Sequence, residues 1–146
     1  MNDSQAASLR VLIHDHLGIA IPVAKQYLLE ARIAKALRHL SLDNPDDLIQ
    51  GLRRGDVRMW NALAQDVTTG HTYFLRETEH FDRMVGMVRR YREPRDIKIW
   101  VAASSSGEEV YSIAMALTDA GISGFRILAS DINTEFLVQL KEGRYG

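Results

Sequence analysis

The chain contains no cysteine, which excludes disulfides, thiolate metal sites and a cysteine nucleophile. It has no stretch near the roughly 20 consecutive apolar residues that a membrane-spanning helix needs, and its first residues lack the charged and apolar regions of a signal peptide. A soluble, cytoplasmic protein with no membrane insertion is therefore expected. Neither sign of charge is in excess: 18 Lys and Arg against 19 Asp and Glu leave a formal net charge of -1. Bulk charge thus gives no reason to expect nucleic acid as a partner. Several signature motifs are missing too. The glycines of a G-x-G-x-x-G fingerprint, the Gly-Lys-Ser/Thr of a P-loop and the G-x-S-x-G of a nucleophile elbow do not occur. This disfavours a nicotinamide-dependent oxidoreductase and acyl-enzyme chemistry. His14 and His16, two apart, point to different sides of a helix and have no acidic partner at helical spacing, so no metal site is expected.

What is present reads as two units. With 46% apolar residues among 146, the chain has the composition of a soluble globular protein of one ordinary domain or two small ones. Residues 1–68 carry only helical patterns, while strand signals begin after Pro94. Leu9, Leu12, Ile13 and Leu17 predict a helix over residues 4–17 that Gly18 ends. A second is expected from Pro22 to about Leu40, with Val23, Tyr27, Ala34 and Leu37 as its apolar side. Asn44, Pro45, Asp46 and Asp47 mark a third start: a cap, a proline in the first turn, and carboxylates where the helix dipole favours them. A fourth, over residues 56–66, buries Met59, Leu63 and Trp60. Residues 67–77 lack a clean period and read as the connection, followed by a helix over 78–91 with Phe81, Met84, Val85 and Val88 on one side. Residues 97–117 then read as strand, tight turn and helix. A second such unit follows, with a strand over 125–130, Asp131 at its carboxyl end and a helix over 134–142.

In open α/β sheets, ligands sit at the carboxyl ends of the strands, where an acidic residue after the second strand commonly holds ribose hydroxyls. The turn Ser104-Ser105-Ser106-Gly107-Glu108-Glu109 and Asp131 stand at those ends. Small residues allow a ligand close to the backbone at a helix amino terminus. The two glutamates would repel a phosphate but suit hydroxyls and an ammonium group. A purely structural turn is the alternative, as is a helix-capping role for Asp131. In the second helix, Arg32, Lys35 and Arg38 recur at i, i+3 and i+6 as a basic stripe. It reads either as a solvated flank or as an electrostatic landing site for an acidic protein.

Taken together, these residues resemble the CheR-type chemoreceptor protein-glutamate methyltransferases, which use S-adenosylmethionine. Residues 72–81, Thr-Tyr-Phe-Leu-Arg-Glu-Thr-Glu-His-Phe, are similar to the family's Thr-x-Phe-Phe-Arg segment. Residues 99–114, Ile-Trp-Val-Ala-Ala-Ser-Ser-Ser-Gly-Glu-Glu-Val-Tyr-Ser-Ile-Ala, are similar to its first cofactor motif. Residues 127–135 with Gly143-Arg-Tyr145 are similar to its second, and the helical first half resembles its small amino-terminal domain. The resemblance implies an α/β chain with a receptor-recognition helical domain over 1–68. Over 69–146 it implies the first β-α-β-α part of a Rossmann-like methyltransferase domain. It implies S-adenosylmethionine as cofactor, S-adenosylhomocysteine as product, and the cytoplasmic domain of methyl-accepting chemotaxis receptors as partner. Thr72, Arg76, Glu109 and Asp131 are implied around the cofactor, with Asp131 at the ribose, Glu109 near the methionyl ammonium and Arg76 at the reacting end as the catalytic candidate. Arg32, Lys35 and Arg38 are implied to face the receptor's helical methylation region. A glutamate carboxylate with an ordinary pKa near ~4.3 is ionised at neutral pH and needs no general base. Catalysis is then mainly orientation of oxygen, methyl carbon and sulfonium sulfur in line.

Two departures qualify the resemblance. Gly70 stands where family members usually carry Asn, two positions before the threonine, which deletes a polar contact to the cofactor. The chain also stops after the second strand-helix unit, whereas the family's catalytic domain continues for several strands. A truncated amino-terminal portion is expected, with an inactive fragment as one outcome. The open strand edge of such a partial sheet favours association. The rival expectation is a non-catalytic interaction or dimerisation module, with a homodimer formed through that edge.

Overall fold

The computed structural model describes residues 1–90 and 97–146. They form two compact units, Met1–Thr69 and Gly70–Gly146. In the first, α1 (Asp3–Leu17) opens with a capping box: the Asn2 side chain accepts from the Gln5 N–H at 2.8 Å, and Gln5 Oε1 accepts from the Asn2 N–H at 2.9 Å. A 3-10 turn, Val23–Lys25, leads into α2 (Gln26–Leu40). α3 (Pro45–Arg53) starts as its sequence predicts, with the Asn44 side chain accepting from the Asp46 N–H. α4 (Val57–Val67) begins after Asp56, because that carboxylate accepts from the backbone N–H groups of Arg58 and Met59 and is itself the cap.

The four helices bury Leu9 and Ile13 of α1, Leu29 and Ile33 of α2, Leu48 and Leu52 of α3, and Leu63 and Val67 of α4 in one core. Here α2 differs from the expected orientation. Val23 and Tyr27 are 72% and 70% exposed and Ala34 is exposed, while the buried row is Leu29, Ile33 and Ala36, with Leu37 partly buried. Both rows recur at helical spacing. The buried one removes two large aliphatic side chains from water and leaves no hydroxyl to satisfy, whereas the other would bury the Tyr27 phenol. Trp60, also in this core, donates its indole N–H to the Leu52 carbonyl at 3.1 Å, and the His16 ring stacks on it at 3.9 Å.

The second unit comprises α5 (Thr78–Val88), β1 (Ile97–Ala102), α6 (Glu108–Asp119), β2 (Phe125–Ser130) and α7 (Thr134–Glu142). The expected continuation of α5 to Tyr91 and the break at Pro94 lie outside the described residues. β1 and β2 pair in parallel, from Ile97 opposite Phe125 to Ala102 opposite Ser130, and α6 is the crossover that parallel pairing requires. Phe81, Val88, Val101, Ile113 and Leu117 form the core, with Ile99 and Ile127 partly buried against it. Strand alternation turns the register partners Trp100 and Leu128 to the opposite face, where they are 69% and 66% exposed. Among the described residues each strand has one partner and so keeps one open edge. No helix among the described residues is long and apolar enough to cross a membrane.

Candidate cofactor site

Parallel pairing sets the carboxyl ends of β1 and β2 side by side, and the loops that leave them are tied together. The Ser104 N–H donates to the Ser130 carbonyl at 3.0 Å. Asp131 spans the junction: Oδ2 accepts from the Ser105 N–H and Oδ1 from the Asn133 N–H, each at 2.8 Å. The cap of α7 is Asn133, whose side chain accepts from the Glu135 N–H at 3.0 Å. The capping role weighed for Asp131 thus belongs to its neighbour two residues on. Asp131 is half-buried, and each carboxylate oxygen retains a second acceptor direction.

The turn itself is strained. Ala103 and Ser105 have left-handed backbone at φ 55° and 49°, as do Leu75 and Glu77 in the segment that contains Thr72 and Arg76. Such conformations cost on the order of 1 kcal/mol or more for residues with a side chain and gather at ligand sites. The hydroxyls of Ser104 and Ser105 are buried with no hydrogen-bond partner among the described residues. An unmet buried hydroxyl costs about 1–3 kcal/mol, which a polar ligand would relieve. Residues 103–109 include no cation. Acceptor carboxylates and unpaired hydroxyls without a positive charge fit a ligand bearing ribose hydroxyls and an ammonium group, and not a pyrophosphate.

The segment before α5 is moored to α6. The Leu75 N–H donates to Ser112 Oγ at 2.9 Å, and that hydroxyl donates to the Glu108 carbonyl at 2.6 Å. Arg76 is exposed, donates from Nη1 to the His71 carbonyl at 3.3 Å, and holds its guanidinium 5.8 Å above the Tyr73 ring centre. Thr72 lines a cleft of about 450 Å³ with Tyr73, Phe74, Ser106, Glu108 and Tyr145. Arg76, Glu109 and Asp131 do not line it. Glu109 is exposed on the first turn of α6, and Asp131 reaches the turn through Ser105. Sequence reasoning missed Ser106, Glu108 and Tyr145 as lining residues. Their signals are the same Ser-Gly-Glu turn and the Gly143-Arg-Tyr145 segment, with no spacing to show that they meet. Tyr145 donates its hydroxyl to the Ser106 carbonyl at 2.7 Å. Burial first, then neighbouring Tyr111 and Glu108, raise its phenol above the ordinary tyrosine range.

In the helical unit the basic stripe is moored as well. Arg32 donates to the Val67 carbonyl and to Thr69 Oγ1. Lys35 Nζ lies 2.8 Å from Asp66 Oδ1, and His39 Nδ1 lies 3.1 Å from Oδ2. Arg38 is exposed with no partner among the described residues.

Residues 70–146 match the CheR methyltransferase SAM binding domain, and residues 5–68 match the CheR methyltransferase all-alpha domain. The chain belongs to the CheR methyltransferase family. It is 33% identical over 149 aligned positions to the chemotaxis protein methyltransferase of Salmonella typhimurium, covering 99% of this chain and 51% of that protein. Identity to the chemotaxis protein methyltransferase of Escherichia coli is 32% over the same shares of each chain. Chemotaxis protein methyltransferase 2 of Pseudomonas aeruginosa is 37% identical over 136 positions, 88% of this chain and 47% of that protein. The chain spans about half the length of the curated relatives it matches. The helical unit and the small parallel sheet follow the order of the two CheR domains, and the domain that begins at Gly70 is the one that binds S-adenosylmethionine in this family.

Proposed function

We propose that this chain is part of an enzyme that transfers the methyl group of S-adenosylmethionine to glutamate side chains on the cytoplasmic domain of chemotaxis receptors, adapting their signalling. The observation that carries the reading is the Asp131 bridge to Ser105, beside two unmet serine hydroxyls, within the stretch matched to the family's cofactor domain. When bound, the cofactor would supply a sulfonium-borne methyl carbon, to which a carboxylate oxygen bonds in line as the carbon–sulfur bond breaks and S-adenosylhomocysteine leaves. Asp131 accepts from the ribose, Glu109 faces the methionyl ammonium, and Thr72 lines the cleft on the Ser106–Glu108 side of the turn. Arg76, with no carboxylate partner among the described residues, orients a carboxylate, either the incoming glutamate's or the cofactor's. No residue serves as a base, because the attacking group is already ionised near neutrality. The chain's own contribution is placement and exclusion of water. Arg38, flanked by Lys35 and Arg32, presents positive charge to an acidic helical receptor segment.

Calorimetric titration of S-adenosylmethionine into the chain tests the site, and methyl incorporation into receptor membranes tests transfer. Binding by the unaltered chain that Asp131→Ala abolishes supports the assignment. Full affinity in that variant removes Asp131 from the site, and a chain that gives no heat with the cofactor or its demethylated product overturns the reading. One observation favours a second reading, a dimerisation module: Trp100 and Leu128 stand exposed and in register beside open strand edges. A dimer in sedimentation velocity that Leu128→Lys disperses, together with absence of cofactor binding, selects it.

A further inference from the structure

The peptide that joins Ser106 to Gly107 is held at both ends. Its N–H donates to the Ser104 carbonyl at 3.1 Å, and its carbonyl accepts from the Tyr145 hydroxyl at 2.7 Å. Gly107 has φ 101°, a conformation that side chains rarely adopt and that leaves a glycine free to swing to others. What closes over it is the far end of α7. A Cβ at Gly107 would meet Leu140 Cγ at 2.6 Å and Tyr145 Oη at 2.9 Å. The Tyr145 ring is fixed in turn by edge-on contacts with Phe74 at 4.9 Å and Tyr111 at 5.6 Å, and Tyr111 donates its hydroxyl to the Leu140 carbonyl at 3.0 Å. One ring therefore touches the Thr72–Arg76 segment through Phe74, the glycine turn through Ser106, and α6 through Tyr111.

We infer that Tyr145 is a positioning residue for the cofactor turn: its hydroxyl selects the orientation of the Ser106–Gly107 peptide and so fixes where α6 begins and where Glu108 and Glu109 project. This rests on the proposed adenosylmethionine reading, which gives the turn the methionyl end and Asp131 the ribose. Tyr145 then acts chiefly on one end of the ligand. Asp131 accepts from Ser105 in the turn but also from Asn133 outside it, so the nucleoside end depends less on the phenol than the methionyl end does.

The test compares Tyr145→Phe, which keeps the ring and its packing, with the unaltered chain. Two ligands are titrated calorimetrically: S-adenosylhomocysteine, and 5′-methylthioadenosine, which lacks the ammonium and carboxylate. Loss of one hydrogen bond is expected to weaken S-adenosylhomocysteine roughly tenfold and methylthioadenosine less than about twofold. Amide exchange of Gly107 is expected to accelerate in the variant without ligand, because the peptide that carries its N–H is no longer held at the Ser106 carbonyl. Equal weakening of both ligands, or none, overturns the inference, as does unchanged Gly107 exchange. Failure of the underlying reading shows differently, as absence of S-adenosylhomocysteine binding by the unaltered chain, and Gly107 exchange then still decides whether Tyr145 holds the turn.

Discussion

Asp66 is wholly buried while its two partners, Lys35 and His39, are about half in solvent, so the two sides of the cluster are unequal. Asp66→Ala releases Lys35 and His39 to water. Lys35→Ala instead strands a buried carboxylate with an imidazole alone, and removing one partner of a buried pair costs more than removing the pair. Urea denaturation is expected to show Lys35→Ala less stable by roughly 3 kcal/mol, Asp66→Ala by less, and the double variant more stable than Lys35→Ala. Simple addition of the two losses would contradict this. Tyr145 offers a second measurement. Its raised phenol pKa favours the protonated form in the folded state. Below the ordinary value of about 10 the phenol is protonated folded or unfolded, and its contribution is fully present. As pH rises past that value the unfolded chain releases the proton first, so stability falls until the folded phenol also ionises. Phenolate absorbance is expected to show a late-titrating step that Tyr145→Phe removes.

At the scale of elements, Gly70 acquires a physical reason. A Cβ there would sit 2.0 Å from Cζ of Phe136, a residue of α7, so the ring occupies the space an asparagine would need. Gly70→Ala is expected to force the Phe136 ring aside at about 1–2 kcal/mol, measured by thermal unfolding, and Phe136→Ala is expected to make the second substitution nearly neutral. From sequence this position reads only as a lost polar contact, because the pairing of residue 70 with residue 136 is a tertiary fact with no local signature. Other elements were legible because their signals are local. Asn44-Pro45-Asp46 starts α3, and the apolar runs at 97–102 and 125–130 are the strands. The buried face of α2 was not, since Val23, Tyr27 and Ala34 keep helical spacing as faithfully as Leu29, Ile33 and Ala36 do. Packing chose between them. At the site, the sequence placed Asp131 and the glycine turn at adjacent strand ends. It could not show that the carboxylate closes on Ser105, nor that Tyr145 returns to Ser106 across 39 positions.

The whole molecule is two compact units with separate cores, and the change from helix-only patterns to strand patterns made that division readable in advance. Bulk charge near zero and the absence of cysteine narrowed the function classes but named none. The two strand-end loops pointed only to a nucleoside-containing ligand, and the family came from the motifs they share with CheR methyltransferases. The chain has two tryptophans, one in each unit and in opposite surroundings. Trp60 is 7% exposed with an imidazole stacked on its ring, whereas Trp100 is 69% exposed. Each unit therefore carries its own optical label. Loss of the helical core is expected to move Trp60 emission to the red and relieve quenching by His16, while opening of the sheet unit leaves the already red Trp100 almost unchanged. Fluorescence alone can then follow the helical unit in a chain where circular dichroism reports both, and Trp100→Phe checks the assignment by leaving that red shift intact.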